Sequence, residues 1–185
     1  MRKILSLIVL FVFSFAVSGR AQQEKPPKAA ASPSKAVLGS WNDIGHKLIT
    51  MAEDFPEDKY DYKATPAERT FAENLLHVAG VNYYFTNAVR GEKPPAGENP
   101  PRSQYKTKAD VVTFVKKSFA DGAAAIEARG DNGMSEVVVD PYSNDQTRIS
   151  DYAYGFIEHS GEHYGQLVVY YRLNNIVPPE SRPRK

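Results

Sequence analysis

Apolar positions recur at steps of three and four residues in four separate stretches of the chain. Val37, Leu38, Trp41, Ile44, Leu48, Met51 and Phe55 form the first stripe, and Pro56 closes it, so a helix is predicted over about residues 35–54. Phe71, Leu75, Val78, Val81, Phe85 and Val89 form the second. Thr65-Pro66-Ala67-Glu68 reads as its start, with a capping hydroxyl, a proline at the first helical position and an acid in the first turn; Arg90-Gly91 reads as its end. Thr107-Lys108-Ala109-Asp110 has the form of a capping box and introduces the third stripe, Val111, Val115, Phe119, Gly122 and Ile126, which Arg129 to Gly133 ends. Val137-Val138-Val139 predicts a short strand, broken by Asp140-Pro141. The fourth helix is predicted from a Ser150 cap to Asn174-Asn175. Four amphipathic segments without alternating strands imply an all-α, antiparallel four-helix bundle. Its connectors exceed the usual loops of a minimal bundle, which leaves the topology open.

The fourth stripe reads Tyr152, Phe156, His159, His163, Leu167, Tyr170, so two imidazoles one turn apart share its apolar face. His77 lies at the edge of the second stripe. Ring nitrogens at i and i+4 converge on one side, and a third from a neighbouring helix completes a three-nitrogen set with an open position, the arrangement of a catalytic metal site. A water there could be acidified, or a thiolate or carboxylate held. The competing account is three core histidines, each hydrogen-bonded on its own. His159 to His163 also fits the H-x-x-E-H pattern of inverted zinc peptidases, but the only acid after His163 is Glu180, in a Pro-rich tail, so their downstream carboxylate ligand is missing. His46 lies off its stripe and reads as a solvated side chain. Glu162, Glu73 and Tyr84 are the candidate proton carriers. Gly155, Gly161 and Gly165 weaken the fourth helix, each by about 1 kcal/mol, for which close approach of a helix or ligand is the expected reason. Affinity for a metal is expected to fall near pH 6.5, where a free imidazole gains its proton.

Composition adds the setting. Arg2 and Lys3, the apolar run Ile4 to Val17 and the small-residue pattern ending at Ala21 read as an export signal over residues 1–21, which places the mature protein in a secreted or periplasmic setting. Residues 22–34 read as a flexible linker, 35–179 as the bundle and 180–185 as a disordered tail; no regular structure is expected from Pro178 onward. Cleavage deletes Arg2, Lys3 and Arg20 and no acid, taking the formal charge from +1 to −2. Such a balance offers no electrostatic footprint for nucleic acid, and no membrane anchor is expected after cleavage. The sequence contains no cysteine, so any metal must be held by His, Asp, Glu or water.

Three stretches carry a resemblance: Phe55 to Lys63; Glu68-Arg69-Thr70-Phe71 through Leu76-His77-Val78-Ala79; and Glu158-His159 through His163-Tyr164-Gly165-Gln166-Leu167 to Tyr171-Arg172 and Ile176-Val177-Pro178-Pro179. In this order they resemble the DinB-like family of damage-inducible and thiol-transferase-related proteins, over about residues 36–179. The resemblance implies a four-helix bundle, often a homodimer, with a divalent metal, commonly zinc or nickel, on His77, His159 and His163. Some such relatives transfer low-molecular-weight thiols, cofactors of the reducing cytosol, whereas this chain begins with an export signal. Tyr164 also stands where relatives often carry a basic residue. Two functions follow: an exported metal-dependent transferase or hydrolase acting on a small molecule, or a non-catalytic, stress-related metal- or small-molecule-binding protein. An open cavity lined by polar groups beside the metal would favour the enzyme, and a sealed apolar one the binder.

Overall fold

The computed structural model describes residues 29–183. The expected signal segment and most of the expected linker lie outside the described residues. Four long helices carry the fold: α1 (Pro33–Asp54), α2 (Phe71–Arg90), α3 (Lys108–Gly133) and α4 (Ile149–Leu173). None of the described helices is long and apolar enough to cross a membrane.

The chain is a four-helix bundle, and its long connectors set an uncommon order. α1 and α2 each pack against both α3 and α4, so helices consecutive through the first and third connectors sit on diagonals. Ser34 meets Asp131 while Glu53 pairs with Lys116, which makes α1 and α3 antiparallel. Phe71 against Tyr170 and Phe85 against Tyr152 make α2 and α4 antiparallel as well. By contrast Asn82 meets Ser118 and Val89 meets Arg129, so α2 and α3 run parallel. Two parallel neighbours cannot be joined by a tight turn. The segment between Arg90 and Lys108 must return along α2, a helix about 30 Å long, and seventeen residues can span up to about 56 Å when extended. This returning segment lays Glu98 and Asn99 beside the middle of α2.

The core is aromatic. Trp41 is fully buried and lies against Phe85 and Phe119, with its indole N–H donating to the Phe119 carbonyl at 2.9 Å. A methyl at Gly122 would sit 2.1 Å from the Trp41 ring, so α1 and α3 approach closely only because that residue is glycine.

Three local expectations are corrected, and the expected strand gains a partner. Helix α2 starts at Phe71, capped by a reciprocal Thr70–Glu73 box, and not at Thr65. Residues 65–68 instead form a turn, because Phe71 N–H and Ala72 N–H donate to Tyr62 and Tyr60 and hold the chain in a loop up to Thr70. Ser150 does not cap α4: Ile149 and Ser150 N–H groups donate to the carbonyls of Glu136 and Met134, which satisfy the helix start from the preceding segment. Strand β1 (Val137–Val139) has a partner the hydropathy pattern does not reveal, β2 (Gln146–Arg148), antiparallel with Val137 opposite Arg148. The tail is not structureless either. Pro179–Ser181 makes a helical turn, and Arg182 grips the Asp54 carboxylate through both terminal nitrogens at 2.7 and 2.6 Å.

Candidate metal centre

Helix α2 delivers His77 and α4 delivers His159 and His163 to one point in the antiparallel α2–α4 seam. His77 and His163 are buried and His159 is half-buried. The Nε2 atom of His159 lies 3.2 Å from Nε2 of His77 and 3.1 Å from Nε2 of His163. Two nitrogens bound at about 2.0–2.1 Å to one tetrahedral ion would be about 3.3 Å apart, so the spacing suits a shared ion.

The opposite ring nitrogens fix the tautomers. Nδ1 of His163 faces Asn74 Oδ1 at 2.5 Å and Nδ1 of His77 faces Asn99 Oδ1 at 3.0 Å. The Asn74 amide nitrogen donates to Gln166 and Arg69 donates to Asn99 Oδ1, so both asparagines must turn their oxygens to the imidazoles. Each Nδ1 therefore carries the proton, and each Nε2 directs a lone pair at the centre. His159 can donate a proton to only one of the two. At least one pair of lone pairs is left facing, and the Nδ1 of His159 is buried without a partner. A cation at the centre resolves the conflict, so the residues present fit a metal ion.

Electrostatics favour the neutral rings that a metal needs. Burial pushes all three imidazoles below the ordinary histidine value, that of His163 to about 3. The neighbouring histidines and the Arg69 guanidinium press in the same direction. The expectation of proton competition near pH 6.5 is thereby moved to lower pH.

An open cavity of about 400 Å³ adjoins the histidines, lined by Arg69, Glu98, Tyr142, Val81, Gly155 and Phe156 together with His77 and His159. Tyr142 stacks on Tyr84, with ring centres 4.4 Å apart, and its hydroxyl donates to Glu98 at 3.4 Å. None of the three proton carriers expected from the sequence lines this cavity. Glu162 is exposed, Glu73 is committed to the cap of α2 through the Thr70 N–H, and Tyr84 acts as a support for Tyr142. His46 is exposed, away from the centre. The α4 glycines are not sites of close packing, since an added methyl at Gly155, Gly161 or Gly165 would meet no atom within 4 Å. Gly155 instead leaves room in the cavity one turn before His159.

Asn74, Asn99, Arg69, Glu98 and Tyr142 were not legible as site residues. Asn74 alone left a signal, as a polar residue three positions before His77 on a buried stripe.

Residues 42–167 match the model of the DinB superfamily, and the chain belongs to that family. Several solved structures share the fold, among them the following two. A DinB-like protein from Bacillus cereus superposes with a TM-score of 0.66 at 14% identity, over 78% of this chain and 95% of its own. YfiT from Bacillus subtilis, described as a probable metal-dependent hydrolase with an unusual four-helix bundle topology, gives 0.62 at 14%, over 82% of this chain and 94% of its own. No curated protein matches the chain in sequence.

Proposed function

We propose that His77, His159 and His163 bind one divalent ion, zinc or nickel, and that the protein is a metal-dependent hydrolase or transferase of small molecules, exported by the segment before Gln22. The observation that carries the reading is the pair of asparagines that turn the His77 and His163 lone pairs onto a common point. The description of YfiT supports a metal-dependent activity in this fold.

A metal held there supplies Lewis acidity, which polarises a carbonyl or makes a water or thiol more acidic. The chain's own groups do the rest. Among the described residues Glu98 is the one carboxylate lining the cavity, beside His77, and takes the proton of the attacking group. Tyr142 donates to that carboxylate and orients it. Val81 and Phe156 give the same space an apolar wall. An open cavity with these polar groups favours an enzyme over a sealed binding protein.

Metal analysis of the protein purified from its own host tests the reading. One equivalent of zinc or nickel is expected in the wild type and a small fraction of that in His159→Ala; equal contents would refute it. Intact mass of the mature form tests export, with Gln22 expected at its N-terminus; retained Arg2 and Lys3 would contradict it.

A further inference from the structure

Arg69 stands apart from most arginines of the described structure. Arg90, Arg102, Arg129, Arg148 and Arg182 each meet a carboxylate, whereas Arg69 has no ion-pair partner among the described residues. Its one side-chain hydrogen bond is from Nη2 to Asn99 Oδ1, at 3.3 Å. Yet it is half-buried and lines the cavity beside His77 and His159. A guanidinium carries five donors in a planar fork, so most of its donors remain free for a ligand.

The backbone under it is held from two sides. Its carbonyl accepts the Tyr170 hydroxyl at 2.5 Å, and the next residue, Thr70, is fixed by its capping box and by a bridge to Lys63. Its head is restrained by Asn99, the residue that also orients His77. Such a preorganised cation loses little freedom when it binds an anion. Facing the same space are the apolar surfaces of Val81 and Phe156 and the bare backbone of Gly155.

We infer that Arg69 is a substrate anchor, and that the cavity takes small organic acids in which a carboxylate sits on a short apolar body. The carboxylate pairs with the guanidinium, the body lies along Val81 and Phe156, and the reacting group reaches the side of the histidines. This assignment rests on the reading of the cavity as the substrate site of the metal centre. It deepens that reading by naming the substrate class.

Phenylacetate is the probe, titrated by nuclear magnetic resonance into the full mature protein stripped of metal, so that only the chain's own groups are read. Saturable binding is expected, weakened roughly 10- to 100-fold in Arg69→Ala and for the neutral isostere phenylacetamide, as for loss of a hydrogen-bonded charge pair. Arg69→Lys should retain part of the affinity, and inorganic phosphate, which has no apolar body, should compete poorly. Unchanged phenylacetate binding by Arg69→Ala, equal binding of phenylacetamide, or no saturable binding by the wild type would overturn the assignment. Phosphate binding as tight as phenylacetate would also overturn it, by assigning the cavity to inorganic anions. Metal content of the wild type is measured in parallel, and the titrations into metal-free protein read the anchor independently of it. Unchanged phenylacetate binding by Arg69→Ala with metal present in the purified wild type refutes this inference alone, whereas a wild type without metal that still binds phenylacetate through Arg69 refutes the metal reading alone.

Discussion

The side-chain oxygen of Asn74 faces Nδ1 of His163 at 2.5 Å, from one helical turn before His77 on α2. One helix therefore provides both a histidine of the centre and the group that aims another. Replacing Asn74 with Ala should leave the helical content unchanged and lower zinc affinity roughly 10- to 100-fold, the usual effect of losing an orienting partner. Asn99→Ala should behave alike through His77. Zinc titration with circular dichroism checks both, and wild-type affinity in either variant would contradict the tautomer argument.

The depressed imidazoles make the metal-free protein sensitive to acid. His163 has a folded value of about 3 against an unfolded value of about 6.5. Between the two, the unfolded chain binds a proton that the native one does not, so stability is whole above pH 6.5 and falls as pH drops through that window. His77 and His159 act in the same direction. The melting temperature of the metal-stripped protein should decline from pH 7 to 5, where most carboxylates are still ionised, and decline less in His163→Leu. Parallel curves for the two proteins would show that His163 does not carry this dependence.

Gly80 fixes the path of the segment that returns along α2. A methyl there would lie 2.5 Å from the Glu98 carbonyl oxygen and 2.8 Å from Pro100, so the backbone carrying Glu98 and Asn99 would have to move. Gly80→Ala should cost about 1–3 kcal/mol in denaturant unfolding, as for an overpacked core site, and should weaken metal binding because Asn99 leaves His77. Gly161→Ala, where an added methyl meets nothing within 4 Å, should gain up to about 1 kcal/mol. Equal effects at the two positions would refute the role of Gly80.

The sequence carries the bundle and the three histidines well and their surroundings poorly, for a physical reason. The stripe through Tyr152, Phe156, His159, His163 and Leu167 is a property of one helix, and periodicity reads it directly. Thr65 and Thr70 both stand three residues before a glutamate, so either could begin α2. The backbone bonds from Phe71 and Ala72 to Tyr62 and Tyr60 select Thr70, and they are tertiary. Asn99 and Glu98 come from a connector without periodicity, and they reach the centre only because α2 and α3 run parallel. The order of helices around a bundle is not written in any one stripe.

Anomalous diffraction from crystals of the zinc- or nickel-loaded protein, recorded at the edge of the added metal, tests the central claim most directly. The account predicts one strong peak about 2.0–2.1 Å from Nε2 of His77, His159 and His163, with the side facing Arg69 and Glu98 open to the cavity. A peak bound elsewhere, or no peak with the three imidazoles still in contact, would contradict it.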